Sequence, residues 1–187
     1  MQLIKYLTVS LLILSLATSC GKTTRMHQNA YGFSEAGNYQ RALELYKQIL
    51  TEKPEDPLIL NDYGWTLFMA DSLNDAVEKL EMAKNKTNDG GSILARNIKK
   101  NLHITNSYIR VKQQLQEGSP EKAKEILDEL DKSWKAREMR LKYYALVYES
   151  MGEETQANEY WQRVLDFYPD DGIRNHFQKL ASSKIRQ

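Results

Sequence analysis

The chain has 187 residues, 41% hydrophobic and 27% charged, which is close to the average of globular proteins and excludes a wholly disordered chain. A formal net charge of +1 argues against a nucleic-acid-binding protein, which usually carries a basic excess, and against attachment to a membrane by charge. The length suits one ordinary domain or a short repeat array.

The N-terminus has the order of a secretory signal peptide. Lys5 supplies a positive charge, residues 6–16 are mostly apolar, and the small residues 17–19 precede Cys20. The apolar stretch is shorter than the roughly 20 residues that a membrane-spanning helix needs. We therefore expect residues 1–19 to be a signal peptide.

Cys20 is the single cysteine, so the chain offers neither an intramolecular disulfide nor a metal site built from cysteines. The segment Leu16–Cys20 resembles the lipobox of bacterial lipoproteins. The resemblance implies that Cys20 carries a diacylglyceryl group and an acyl chain such as palmitate, and that residues 20–24 form a short tether. Because Gly21 is not a sorting aspartate, it also implies the outer membrane, facing the periplasm. The alternatives are a plain signal peptide with a coincidental cysteine and an uncleaved anchor.

Four segments share one pattern, in which a turn residue is followed five places later by alanine. The turn residues are Gly37, Asp71, Gly118 and Gly152, and the alanines are Ala42, Ala76, Ala123 and Ala157. The alanines are separated by 34, 47 and 34 residues, and a period of about 34 is typical of stacked helical hairpins. Apolar residues at helical spacing precede the turns, and we expect the three glycines to end helices in the left-handed conformation.

This pattern resembles the tetratricopeptide repeat over roughly residues 23–171. The best matches are Leu60, Tyr63, Gly64, Leu67, Ala76, Leu80 and Ala83, and then Leu141, Tyr144, Ala145, Tyr148, Ala157, Trp161 and Pro169. The resemblance implies an all-α fold, a right-handed superhelical array of about four helical hairpins with a capping helix. The repeats are placed at residues 25–56, 57–88, 89–131 and 135–169, and the capping helix at 170–184.

The third copy departs from the pattern. Val111 stands where a small residue is expected, and Ser107 and Arg110 stand where large apolar residues usually lie. The interval of 47 adds about 13 residues to the 34-residue period. Ser92 suits a helix cap, and an apolar residue follows at every fourth position, so we expect one elongated helix over about 92–116.

No motif for catalysis stands out. His27, His103 and His176 lie far apart without the paired spacing of a metal site, and no nucleophile elbow, phosphate loop or dinucleotide fingerprint occurs. We therefore expect no catalytic residue, no metal, no cofactor and no small-molecule substrate.

Stacked hairpins form a concave face, which the resemblance assigns to the first helix of each repeat. The residues predicted to line it are His27, Tyr31, Asn61, Trp65, Phe68, Tyr108, Lys112, Lys142 and Leu146. Trp65 is the strongest candidate, because tryptophan and tyrosine are frequent at binding hot spots. The alternative is that Trp65 and Phe68 pack against neighbouring helices. One subset of the family grips a C-terminal carboxylate with lysines and asparagines, and His27, Tyr31 and Asp62 depart from that set.

Together these features predict a membrane-anchored scaffold or adaptor of the bacterial cell envelope, which binds protein or peptide partners during the assembly of an envelope complex. The short tether would hold the array close to the bilayer. Two alternatives stay open: a non-catalytic accessory subunit of a cell-wall or polysaccharide enzyme system, and a self-assembling structural lipoprotein.

Overall fold

The structure is a computed structural model, and it describes residues 21–87, 91–133 and 137–167. Within these ranges every regular element is an α-helix, which confirms the predicted all-α class. The helices are α1 (residues 21–35), α2 (Tyr39–Glu52), α3 (Pro57–Met69), α4 (Leu73–Lys86), α5 (Ile93–Gln116), α6 (Pro120–Ser133), α7 (Arg137–Met151) and α8 (Glu154–Phe167). The predicted signal peptide (1–19), Cys20 and the predicted capping helix (170–184) lie outside the described residues.

Four turns of one design join α1 to α2, α3 to α4, α5 to α6 and α7 to α8. The turn residues are Gly37, Asp71, Gly118 and Gly152, with φ of 76°, 62°, 69° and 74°. In each turn the amide of this residue donates to the carbonyl three residues back, and the next amide donates to the carbonyl five residues before it. In the first turn these bonds are Gly37 N to Ser34 O (3.0 Å) and Asn38 N to Phe33 O (2.8 Å). This is the Schellman arrangement, which satisfies the last carbonyls of a helix, and it confirms the left-handed conformation expected of the glycines.

The described residues form two compact units, one up to Lys99 and one from Lys100. In the first unit, α1 and α2 are antiparallel, because Thr23 near the start of α1 donates to Glu52 at the end of α2 (Oγ1 to Oε2, 2.9 Å). Lys22 also approaches Glu52, at 3.6 Å. Residues 21–24, expected as a tether, therefore belong to α1, since their contacts with the end of α2 hold them in the helix.

Gly64 shows why small residues recur at the crossing of two helices in a hairpin. A Cβ on Gly64 would lie 2.8 Å from Leu80 Cγ and 3.2 Å from the backbone oxygen of Ala76. Both distances are tighter than ordinary van der Waals contact, so α3 and α4 approach each other only because this position has no side chain.

The second unit has its own apolar core. Leu141, Ala145, Trp161 and Val164 of α7 and α8 pack together, and Leu146 and Tyr160 flank them. The α5 helix, expected over about 92–116, is observed over Ile93–Gln116, and Ser92 Oγ accepts from Ala95 N (3.1 Å) as a helix cap should. Within the described ranges, no helix combines the length and apolar character that crossing a membrane requires.

Candidate interaction surface

The surface that we call the α1–α3 face consists of the side chains that α1 and α3 present beside each other: His27, Tyr31, Ser34, Asp62, Trp65 and Thr66. Its first contact joins His27 Nε2 and Asp62 Oδ2 at 2.8 Å, with about a fifth of each side chain exposed. Asn61 Nδ2 donates to the other carboxylate oxygen of Asp62 at 3.0 Å. The Asp62 carboxylate is thus held between an imidazole and an amide, which fixes its orientation.

A second contact joins the same two helices two turns further along α1 and one turn further along α3. Ser34 Oγ and Thr66 Oγ1 lie 3.0 Å apart, and Thr66 Oγ1 also donates to the backbone oxygen of Asp62 (2.8 Å). Because a buried polar group is costly when it has no partner, these hydroxyls specify one alignment of α1 against α3. The two contacts together fix the register of the helices that carry Tyr31 and Trp65.

Tyr46 of α2 lies beneath this face with its side chain fully buried. Its ring centroid is 6.1 Å from that of His27 and 5.9 Å from that of Tyr63. Within the described residues its hydroxyl makes no hydrogen bond, although Thr66 is a polar neighbour. Burial raises the pKa of the Tyr46 phenol well above its ordinary value near 10, and the charge of Asp62 raises it further.

The predicted groove residues differ widely in exposure. Tyr31 and Lys112 are exposed, His27, Trp65, Lys142 and Leu146 are half-buried, and Asn61, Phe68 and Tyr108 are buried. The first five in chain order lie in the first unit and the last four in the second. A helix-by-helix register therefore names residues on one side of each helix, but it does not say which of them reach solvent.

Three of these predictions are corrected. Phe68 is 0% exposed and stacks on Trp65 with centroids 4.8 Å apart, so it supports Trp65 from below and does not line an open groove. Tyr108 is 2% exposed, because it packs edge-on against Tyr143 of α7 (4.9 Å). Asn61 is buried with its amide engaged by Asp62. The physical reason is the same for all three, since the contact that buries each side chain also removes it from a partner's reach.

Sequence reasoning missed the polar residues that join α1 to α3. Ser34 and Thr66 are buried, and polar residues are ordinarily expected at the surface. The available signal was their spacing, because His27 and Ser34 lie seven residues apart, as on one side of a helix, and Asp62 and Thr66 lie four apart.

The face offers hydrogen-bonding and aromatic groups to a partner. Tyr31 is 53% exposed, and Trp65 is half-buried on its Phe68 support. Over the described residues, no group of three or more histidine, cysteine, aspartate or glutamate side chains is placed to hold a metal ion.

The succession of antiparallel helix pairs with a common turn defines a helical-hairpin repeat protein. Family models described as tetratricopeptide repeat match residues 34–99 and residues 143–171, and these hairpins are tetratricopeptide repeats. Residues 100–142, between the two matches, include the third copy with Ser107 and Arg110. Repeats of this kind generally act as non-catalytic scaffolds for contacts between proteins.

Among the solved structures that match, the first described here has the same fold. A thermophilic tetratricopeptide repeat protein of Thermus thermophilus is 19% identical and superposes with a TM-score of 0.50, covering 84% of this chain and 97% of that one. A MamA RS-1 double mutant (16% identity, TM-score 0.38, covering 87% and 85%) and another MamA mutant (13%, 0.39, 89% and 90%) also match. Among curated proteins none matches the chain.

Proposed function

We propose that this chain is a lipid-anchored scaffold of the bacterial cell envelope, and that its α1–α3 face binds a protein or peptide partner. Acyl groups on Cys20 would attach it to a membrane, the outer one by resemblance. The observation that carries the binding role is the alignment of α1 and α3 by His27–Asp62 and Ser34–Thr66, because it presents Tyr31 and Trp65 on helices of fixed register.

The energetic argument rests on preorganisation. A surface that already holds its binding side chains in place loses little conformational entropy when a partner arrives. Trp65 is held by stacking on Phe68, and Tyr31 stands out from α1 with only two rotatable bonds in its side chain. Such aromatic residues bury a large area at a small entropic cost, which is why they dominate binding hot spots.

The position of α1 bears on the proposed anchor. The described part of α1 begins at Gly21, directly after Cys20, and Thr23 is already buried against the end of α2. A lipid on Cys20 would therefore be joined to the first repeat almost without slack. The repeats would therefore lie close to the membrane surface, without a long linker between them and the lipid.

Anchoring is tested by replacing Cys20 with serine in the source bacterium. The wild-type chain should incorporate labelled palmitate and sediment with membranes, whereas Cys20→Ser should do neither, because serine lacks the thiol that would carry the diacylglyceryl group and stable attachment depends on the acyl chains. Ser19→Ala, which keeps a small residue before the cysteine, is the matched control and should behave as wild type. Membrane attachment of unlabelled Cys20→Ser would contradict the anchor.

Partner binding is tested by crosslinking in intact cells. Tyr31→Ala and Trp65→Ala should each reduce the crosslinked product, while Met82→Ala, which removes a partly exposed apolar side chain from α4, should not. Circular dichroism must show folded variants. If Trp65→Ala unfolds the chain, the residue belongs to the core, and the assignment of this face then depends on Tyr31→Ala alone.

A further inference from the structure

A cleft of about 600 Å³ opens between α5 and α6 in the second unit. One wall carries His103, Ser107 and Arg110 of α5, and the other carries Glu125 and Glu129 of α6. Ile126 and Leu130 add an apolar floor. The volume lies within the range of about 300–1,000 Å³ that is common for binding sites. None of these residues was predicted as part of the groove.

The place of the cleft in the repeat is defined by counting back from each turn. Arg110 lies eight residues before its turn residue, Gly118, as Tyr63 and Tyr144 do before theirs. Ser107 lies eleven residues before the turn, which is the position of Leu60 and Leu141 in the second and fourth repeats. The wall of the cleft on α5 therefore corresponds to an apolar face in α3 and in α7.

In both of those repeats the corresponding face contacts the preceding helix. The Tyr63 ring of α3 lies 5.9 Å from the Tyr46 ring of α2. Tyr144 of α7 donates a 2.6 Å hydrogen bond to Asp128 of α6. Because two members of one repeating design use this face to pack a helix, the shape of the cleft suits a helix as well.

The helix that carries one wall of the cleft, α5, is longer than its counterpart α3 in the second repeat. Ser107 lies fourteen residues after Ile93, a rise of about 21 Å along the helix, whereas Leu60 lies three residues after Pro57. Ile93 belongs to the same unit as α4, and the cleft residues belong to the second unit.

The charged residues of the cleft are complementary to a partner whose two edges carry opposite charges. Within the part of the chain that the structure describes, the side chains of His103, Arg110 and Glu125 make no hydrogen bond or ion pair. The cleft is therefore lined by a positive charge at Arg110 on α5 and by carboxylates at Glu125 and Glu129 on α6, with apolar side chains beside them. A ligand that fills this space has to place acids against α5 and bases against α6.

We propose that the cleft binds an amphipathic α-helix of a partner protein, which packs on α5 as α2 packs on α3 and α6 packs on α7. The helix carries aspartate or glutamate on the edge facing His103 and Arg110, lysine or arginine on the edge facing Glu125 and Glu129, and aliphatic side chains between them. This site goes beyond the scaffold role proposed above, since it lies in the second unit and uses none of the α1–α3 face.

The test is a selection on the full-length chain from a displayed library of helical peptides of about 15 residues, a length at which isolated helices become stable. The enriched peptides should carry the two charged edges, and Arg110→Glu or Glu125→Arg should weaken their binding about tenfold or more. Lys112→Glu and Glu121→Arg make the same charge changes at exposed positions on the same two helices, outside the cleft, and should leave binding within about twofold. Tyr31→Ala should leave it unchanged, which separates this site from the α1–α3 face.

Three results would overturn the proposal. The first is a set of enriched peptides that bind Arg110→Glu as well as wild type, or that show no charged edges. The second is self-association in sedimentation velocity that Arg110→Glu abolishes, because the occupant would then be a second copy. The third is a disulfide between Arg110→Cys and Met82→Cys in a Cys20→Ser chain at low concentration, because the occupant would then be α4.

Discussion

The α3–α4 and α5–α6 hairpins have the same turn and different helix faces. Both turns place a left-handed residue after the first helix and close with the same pair of backbone hydrogen bonds. The residues eleven, eight and seven places before the turn are Leu60, Tyr63 and Gly64 in α3, and Ser107, Arg110 and Val111 in α5. In the first hairpin these residues pack closely, and in the second, two of the three line an open cleft. The backbone of the turn therefore determines that a hairpin forms, whereas the side chains of the first helix determine what packs beside that hairpin.

The largest expected effect comes from exchanging the equivalent residues of the two hairpins. Leu60 is 1% exposed, so Leu60→Ser should lower the free energy of unfolding by about 4 kcal/mol through a cavity and a buried hydroxyl. Ser107→Leu should change it by less than about 1 kcal/mol, since Ser107, although only 5% exposed, lines the cleft, and its hydroxyl donates within its own helix, to His103 O (2.9 Å). Urea unfolding followed by circular dichroism measures both. Equal losses for the two changes would show that the two faces are packed alike.

Making α3 resemble α5 at the helix crossing should also be costly. Gly64→Val places a side chain against Leu80 and the backbone of Ala76, and we expect a loss of about 2–3 kcal/mol from overpacking. Gly32→Val is the control, because it makes the same change inside α1 with no atom within 4 Å of the new Cβ, and should alter stability by less than about 0.5 kcal/mol. If the two variants unfold at the same urea concentration, close contact at Gly64 does not limit the hairpin.

The common turn can be tested within a single repeat. Gly37 has φ of 76° and open space around it, so Gly37→Ala should cost about 1 kcal/mol from backbone strain alone. Gly32→Ala, five residues earlier and helical, should instead raise stability by up to about 1 kcal/mol. We expect the melting temperature to fall for Gly37→Ala and to rise for Gly32→Ala. Shifts of the same sign would show that the left-handed conformation of Gly37 does not cause the loss of stability.

The smallest expected effect concerns the buried phenol of Tyr46. Tyr46→Phe keeps the ring and removes a hydroxyl that has no hydrogen bond within the described residues, so we expect stability at pH 7 to rise by about 0.5–1 kcal/mol. A measured loss in urea unfolding would mean that the hydroxyl has a partner that matters.

The raised pKa of the same phenol also makes the stability of the folded chain depend on pH in the alkaline range. Because its pKa is raised in the folded chain, the unfolded chain loses the proton first as the pH passes about 10, and the folded state then loses relative stability. Burial raises the pKa of Tyr63 and Tyr160 as well, so they act in the same sense. Tyr46→Phe should therefore unfold at a higher pH than wild type, as followed by circular dichroism. Unfolding of Tyr46→Phe at a lower pH than wild type would contradict this prediction.

The sequence predicted the backbone of this molecule better than its surface. Glycine at a fixed place before three of the four second helices was enough to predict left-handed turns there, because few other residues adopt that conformation at low cost. Asp71 shows that the repeat spacing carries the same information, since it adopts φ of 62° at the equivalent place. Gly64 was likewise recognised as a match to the repeat, and its distances to Leu80 show the close crossing of helices that a glycine permits there.

Exposure could not be predicted in the same way. Helical spacing placed Phe68 and Tyr108 on one side of their helices, but their burial depends on Trp65 and Tyr143, and pattern alone does not determine these contacts. The polar residues at Ser107 and Arg110 were recognised as departures from the repeat, and only the structure showed the cleft that they line.

The contact between the two ends of the first hairpin has a mechanical consequence. Lys22 and Thr23, near the start of the described part of α1, both contact Glu52 at the end of α2. A force applied at the residue before Gly21 is therefore shared at once by two antiparallel rods, and it pulls them past each other along their length. The whole hairpin would therefore resist a force applied at that end, and the turns of α1 would not separate from α2 one after another.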